Sequence, residues 1–345
     1  MLIDGDFCPA WWLPGAHLQT LAPTLMRRRP AIPLRRQRLE LPDGDFIDLD
    51  WAPEQPGPRV ILFHGLEGSS RSPYAGGLMR RLHDQGFQAL TMHFRGCSGE
   101  PNRLPRSYFA GDTGDMAWLV DHLLRQEPTR PVAAIGVSLG GNALLKWLGE
   151  TGPDNPLAAA AAISVPFDLD RSARRMEQGL SRFYQWYLVG RLKRSALRKC
   201  RLMPMPLDCA ALPRLRTFRE FDDAVTAPLH GFADVDDYYT RCSSRPYLRG
   251  IRCPTLILHA RDDPFMTPET VPTPDELSPN IRLELSRAGG HVGFVEGVGR
   301  YWPERRIGEW LGDIFSSTQD QNGVTTLTPR GPTRRTIDAS NLDRL

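Results

Sequence analysis

Between Pro131 and Trp147 the chain reads Pro-Val-Ala-Ala-Ile-Gly-Val-Ser-Leu-Gly-Gly-Asn-Ala-Leu-Leu-Lys-Trp. No other stretch restricts the possible folds as much. An apolar run (Val132 to Val137) is followed by a sharp turn at Ser138, and a helical pattern begins by about Asn142. Gly136 and Gly140 bracket the serine, and Gly141 follows. A serine held at a tight strand-to-helix turn occupies strained backbone, and a side chain at either flanking position would collide with the crossing chain. The same turn aims the N-terminus of the following helix at Ser138, so backbone N–H groups face any oxyanion formed there. In this strand-turn-helix setting, G-x-S-x-G marks Ser138 as a candidate nucleophile.

The runs around this stretch have the same character. Arg59 to Phe63, Gln88 to Phe94 and Leu157 to Val165 read as strands that are mostly apolar rather than cleanly alternating, and strand signals resume at Pro254 to His259 and Ile281 to Leu285. Helical spacings separate them at Tyr74 to Gln85 and Asp112 to Arg125, and a last helix starts at Pro303. Strands in alternation with helices, buried on both faces, predict an α/β fold with a mostly parallel central sheet and helices on both sides. A hairpin is expected where Arg38–Leu41 and Phe46–Trp51 flank Pro42-Asp-Gly-Asp45.

Strand signals stop from Pro166 to about Gly250. There Met176, Leu180, Phe183, Tyr184, Tyr187, Leu188 and Leu192 recur at helical spacing, and Arg171 to Arg201 is rich in base. The expected organisation is an N-terminal arm (1–35), a core made of 36–165 and 251–315, a helical cap inserted at 166–250, and a loosely attached polar tail from 316. The cap stripe is expected to be ordinary packing. Its basic run reads as a solvated face, the alternative being a surface for anionic lipid or nucleic acid. In the arm, the aromatics should pack on the body while Arg27-Arg-Arg29 stays in solvent. His17 reads as structural rather than catalytic.

At 345 residues with 41% hydrophobic and 24% charged side chains, this is an ordinary globular composition, and a net charge of +3 gives no argument for a nucleic-acid partner. The six cysteines (Cys8, Cys97, Cys200, Cys209, Cys242, Cys253) are scattered without a C-x-x-C pair, which fits a reducing compartment better than a disulfide framework or a zinc site. Acid stands where a secretory signal would carry base, and the longest apolar run is too short to span a bilayer. A cytoplasmic protein without stable membrane insertion is expected, peripheral contact being allowed; the oligomeric state is open.

A serine hydroxyl needs a base, usually an imidazole steered by a carboxylate, on loops leaving the carboxyl ends of late strands. Asp262 and Asp263 lie just beyond Leu256–His259, and His291 follows the last strand in a glycine-rich loop. Asp263, directly before Pro264, is placed to turn back toward the histidine; Asp262 is the fallback, read as a turn-stabilising neighbour. The oxyanion would take the Leu139 N–H and, from the loop His64-Gly65, the Leu66 N–H. His64 and His259, at strand exits, read as loop-holding groups. Neither glycine-rich loop has a phosphate-binding signature, and no histidine or cysteine pair has metal-ligand spacing, so no cofactor or metal is expected.

The elbow Gly136-Val-Ser-Leu-Gly-Gly-Asn142, the loop His64-Gly-Leu-Glu-Gly68, Phe94-Arg-Gly-Cys-Ser-Gly-Glu-Pro-Asn102 and Asp262-Asp-Pro-Phe265 with Gly289-Gly-His-Val-Gly-Phe294 together resemble the YheT-type branch of the α/β-hydrolases. This branch, the AB-hydrolase 4 family, is related to ABHD-type lipases and medium-chain ethyl-ester synthases. His17-Leu-Gln-Thr20, Phe221-Asp-Asp-Ala-Val-Thr226 and Asp237-Tyr-Tyr239 are similar to further motifs of the family, so the resemblance spans roughly residues 7 to 315. It implies an α/β-hydrolase fold and a Ser-Asp-His site, carried onto Ser138, Asp263 and His291. The expected activity is cleavage of a small-molecule, acyl-chain ester through an acyl-enzyme. The alternatives are transfer of the acyl group to an alcohol, or a non-catalytic binding protein on a hydrolase scaffold.

Overall fold

The computed structural model describes residues 1–27 and 32–321. Arg28, Arg29 and the tail from 322 onward lie outside the described residues. The central sheet contains, in chain order, β1 (Leu2–Asp4), β2 (Arg35–Glu40), β3 (Phe46–Trp51), β4 (Arg59–Phe63), β5 (Gln88–His93), β6 (Val132–Val137), β7 (Ala159–Ile163), β8 (Thr255–Ala260) and β9 (Ile281–Ser286). In space they run β1-β9-β8-β7-β6-β4-β5-β3-β2. The β2–β3 and β3–β5 pairs are antiparallel and the other six parallel. A separate short ribbon joins β10 (Val295–Gly297) to β11 (Arg300–Tyr301).

Side-chain alternation along the strands builds two cores. One face of the sheet, with Ile61, Phe63, Leu90, Met92 and Ala134, packs on α3 (Gly114–Gln126) and α4 (Leu139–Thr151). The other, with Val60, Leu62, Ile135 and Val137, packs on α2 (Pro73–Asp84) and α10 (Trp302–Gln321). Strands buried on both faces have little room for polar alternation, which is why these runs are largely apolar. The helix after Ser138 starts at Leu139, three residues before the pattern in the sequence shows it, because glycines at 140 and 141 carry no periodicity. α10 extends past residue 316, where the tail was expected to begin.

Everything between β7 and β8 is helix, turn or loop: α5 (Leu169–Met176), α6 (Ser181–Leu202), α7 (Phe218–Phe221), α8 (Ala227–His230) and α9 (Val235–Cys242), with a π-turn at Asp222–Thr226. Cys200 and Cys209 form a disulfide here, a correction to the reading of the scattered cysteines as fitting a reducing compartment. The end of α6 and the loop after it double back, which a nine-residue separation does not announce. Cys8, Cys97, Cys242 and Cys253 are free.

The N-terminal segment is more integral than an arm. β1 extends the sheet edge beside β9, with Leu2 opposite Leu283, and three residues are too short for periodicity to reveal. Phe7 packs on Phe294 and Trp302, at 5.4 and 5.7 Å between ring centroids. After α1 (Ala16–Met26) comes Arg27, whose side chain is not solvated: it is buried, pairs with Glu304, and lies 3.9 Å from the Tyr301 ring centre. Among the described residues no helix is long and apolar enough to cross a membrane.

Candidate active site

Ser138 stands between β6 and α4 with φ 52° and ψ −117°, a region non-glycine residues enter at a cost of order 1–3 kcal/mol. Its N–H donates to Ile163 O at 2.8 Å, so the neighbouring strand holds the turn. The flanking glycines are required by packing. A Cβ at Gly136 would lie 2.6 Å from Gly140 O, and one at Gly140 would lie 2.5 Å from the Phe63 and His64 carbonyl oxygens.

Two loops bring the acid and the imidazole to this turn. The loop after β8 carries Asp263, 3% exposed; the loop after β9 carries His291. His291 Nε2 lies 3.0 Å from Ser138 Oγ, and its Nδ1 lies 2.8 Å from Asp263 Oδ2. The other Asp263 oxygen accepts from Phe265 N at 2.9 Å, which fixes the carboxylate plane. The Phe265 ring stacks on the imidazole, 3.9 Å between centroids and 10° from parallel. Asp262 does different work: it accepts from Gly290 N at 2.9 Å and so shapes the histidine loop. Burial raises its pKa.

The histidine loop is also held by residues that the sequence reading did not single out. Thr20 Oγ1 accepts from His291 N at 2.9 Å, and the fully buried Gln19 accepts from Val295 N at 2.7 Å. A Cβ at Gly290 would lie 2.4 Å from Ala16 O, and one at Gly293 would lie 2.1 Å from Gln19 O. α1 therefore seals the back of this loop. His17 itself reaches Tyr184 Oη at 3.0 Å and stacks on that ring, away from the serine relay. The signal for Gln19 and Thr20 lay in the His17-Leu-Gln-Thr20 motif, where attention went to the histidine.

Across the cleft, the loop after β4 passes so close to the elbow that a Cβ at Gly65 would sit 3.3 Å from Ser138 Cβ. The Gly65 N–H donates to Tyr74 Oη at 2.7 Å, and the Glu67 N–H donates to Tyr108 Oη at 2.6 Å. Among the described residues, the Leu66 N–H between them and the Leu139 N–H across from them have no backbone acceptor. Glu67 has φ 52° and is clamped: Ser195 Oγ donates to its carboxylate at 2.6 Å and Arg191 to its carbonyl at 2.5 Å. His64 anchors the start of the loop, its Nδ1 2.8 Å from Gly65 O and its Nε2 accepting from Phe94 N at 3.1 Å. Burial pushes His64 down to about 3 and His259 down to about 4, so both are neutral at pH 7.

These groups open into a cavity of about 200 Å³. Leu139, Met176, Leu188, Leu192, Phe221 and Val225 form much of its wall, while Arg95, Asn102, Arg198 and Lys199 supply polar groups. Among the described residues no cluster of three or more His, Cys, Asp or Glu side chains is arranged to hold a metal.

A hydroxyl on a strained strand-to-helix turn, with an imidazole and a carboxylate on the loops after the last two core strands, is the layout of an α/β-hydrolase. The chain belongs to the alpha/beta hydrolase fold family, whose model matches residues 58–298. It is 47% identical over 317 residues to YheT of Escherichia coli (strain K12), named as a candidate esterase, an alignment spanning 89% of this chain and 93% of YheT. It is 30% identical over 315 residues to the Homo sapiens phospholipase ABHD3, spanning 88% and 76% of the two chains. Among solved structures, the Pyrococcus furiosus esterase Pf2001 superposes with a TM-score of 0.55 at 18% identity, covering 83% of this chain and 92% of the other, a likeness of fold alone.

Proposed function

We propose that this chain hydrolyses carboxylic esters carrying an acyl chain, with Ser138 as nucleophile, His291 as general base and acid, and Asp263 as the group that orients and stabilises the imidazolium. The observation that carries the reading is the unbroken relay from Asp263 Oδ2 through both ring nitrogens of His291 to Ser138 Oγ, at 2.8 and 3.0 Å. As Ser138 Oγ attacks the ester carbonyl, its proton passes to His291 Nε2. The carbonyl oxygen, now an oxyanion, accepts from the Leu66 and Leu139 N–H groups. His291 returns the proton to the leaving alkoxide, giving an acyl-enzyme. Water, deprotonated by His291, then releases the acid and restores Ser138. The helices between β7 and β8 act as the cap over this chemistry, and the apolar wall of the cavity favours an acyl chain over a polar acid. The esterase and phospholipase names of the relatives agree with that substrate class.

The test is a panel of p-nitrophenyl esters of increasing acyl length, with Ser138→Ala as the blank. Hydrolysis that depends on chain length and falls by about 10³-fold or more in Ser138→Ala is expected. Full activity in Ser138→Ala would overturn the proposal.

A further inference from the structure

α6 has two apolar faces, and only one is used by the fold. Leu188, Leu192 and Ala196 point inward and line the cavity. On the opposite side, Phe183, Trp186 and Tyr187 are 56%, 69% and 46% exposed, and Leu180, just before the helix, is 69% exposed. The sequence had placed Leu180, Phe183 and Tyr187 in the packing of the cap; they face out. The Phe183 and Trp186 rings stand 5.9 Å apart and make one patch.

The charge on this helix is equally one-sided. Ser181–Leu202 contains seven arginines and lysines and no carboxylate, and among the described residues none of the seven forms an ion pair. Four of them hold carbonyls of other segments or Asn102, and Arg194 donates to Gly190 O of its own helix at 3.1 Å. Arg182, Arg194 and Arg201 are exposed and engage no acid. With 3.6 residues per turn, Arg194 and Arg201 continue the stripe begun by Phe183 and Tyr187. Bulky aromatics set beside unpaired arginines match the boundary between acyl chains and anionic headgroups.

We propose that the outer face of α6 docks on the surface of an anionic lipid bilayer, lying along it rather than crossing it. The aromatic end enters the headgroup–acyl boundary and the arginines meet the lipid phosphates. Docked in this way, the cap presents to the lipid the outside of the same helix whose Tyr184 packs on Phe265, 5.1 Å between centroids, and Phe265 in turn stacks on His291. The inference goes beyond the ester-cleaving reading and can fail separately from it.

The test uses the full chain carrying Ser138→Ala, so that no lipid is consumed, in co-sedimentation with vesicles of phosphatidylcholine alone or mixed with phosphatidylglycerol. Binding to the anionic vesicles should be roughly tenfold stronger and should weaken as salt is added. Phe183→Ser with Trp186→Ser, and separately Arg194→Glu with Arg201→Glu, should each reduce it about as much. In the wild-type background both pairs should leave hydrolysis of a soluble p-nitrophenyl ester and the circular dichroism spectrum unchanged. Equal binding to neutral and anionic vesicles, or none to either, would overturn the proposal. So would a dimer that the aromatic pair dissociates without any vesicle binding, or salt-sensitive DNA binding in its place.

Discussion

Gly140 lies two residues past Ser138, where the first turn of α4 crosses the end of β4. A Cβ there would be 2.5 Å from both the Phe63 and the His64 carbonyl oxygens, while ordinary contacts begin near 3.4 Å. Gly140→Ala therefore asks the two backbones to separate by 3.4 − 2.5 = 0.9 Å. Neither obstacle is a side chain that can rotate away. β4 is hydrogen-bonded to β5 on one side and β6 on the other, so α4 has to move. Overpacking a tight site typically costs about 1–3 kcal/mol, and with only main chain to yield the upper end, ~3 kcal/mol, is expected. The same shift displaces Ser138 and the Leu139 N–H, and a misplacement of about 1 Å can lower kcat by roughly 10²-fold. Gly312, inside α10, is the control: a Cβ there meets nothing within 4 Å. Gly312→Ala should gain about 1 kcal/mol from helix propensity with activity unchanged. Urea unfolding, read as a shift of midpoint at constant slope, and ester hydrolysis measure both. If Gly140→Ala unfolds within about 0.5 kcal/mol of the wild type, the close approach that defines the elbow is wrong.

Three further outcomes follow from the site. Asp263→Asn should lower kcat by about 10⁴-fold with the fold intact, whereas Asp262→Asn, which alters only a loop contact, should cost no more than about tenfold; equal losses in ester-hydrolysis rates would contradict the division of labour. Tyr108→Phe strips the acceptor from the Glu67 N–H and should lower kcat about tenfold with little change in KM, a full oxyanion donor being worth about 2.7–4 kcal/mol; a rise in KM alone would assign Tyr108 to substrate binding. Asp222 borders the cavity, bonded to Thr226 and Tyr239 at 2.6 and 2.7 Å, and burial pushes it up to about 6. Its folded pKa is above the unfolded one, so its contribution is complete below pH ~4 and is lost as pH rises through about 6. Asp222→Asn should match the wild type at pH 4 and exceed it by about 2 kcal/mol at pH 8, a difference that urea midpoints at the two pH values would show; a pH-independent difference would refute it.

The core was legible because its central strands are buried on both faces and punctuated by glycine or proline, so β4, β6, β7 and β8 stand out as largely apolar runs. The elbow was legible because only glycine tolerates the crossing of α4 over β4. β1 was not, since Leu2-Ile3-Asp4 is too short to carry a pattern and is a strand only because β9 has a free edge. The Asp263 assignment rested on its place before Pro264, and the structure puts that carboxylate on His291 and Asp262 on Gly290. What the sequence could not convey were contacts between distant segments: Gln19 and Thr20 against the histidine loop, Arg27 under α10, and the clamp of Arg191 and Ser195 on Glu67. Each depends on where a helix lands, and helical periodicity says which face is apolar without saying what it meets. The outward aromatics of α6 show the same limit, because packing and exposure share one spacing.

The relay at Ser138 is tested most directly by an alkyl fluorophosphonate, which forms a stable phosphorus–oxygen bond with a serine only where a base removes the proton and fluoride can leave. Mass spectrometry of the folded wild-type chain should find one adduct, on the peptide containing Ser138, and His291→Ala should slow its formation by about 10³-fold or more. An adduct on another residue, or labelling of Ser138 at an undiminished rate in His291→Ala, would contradict the account.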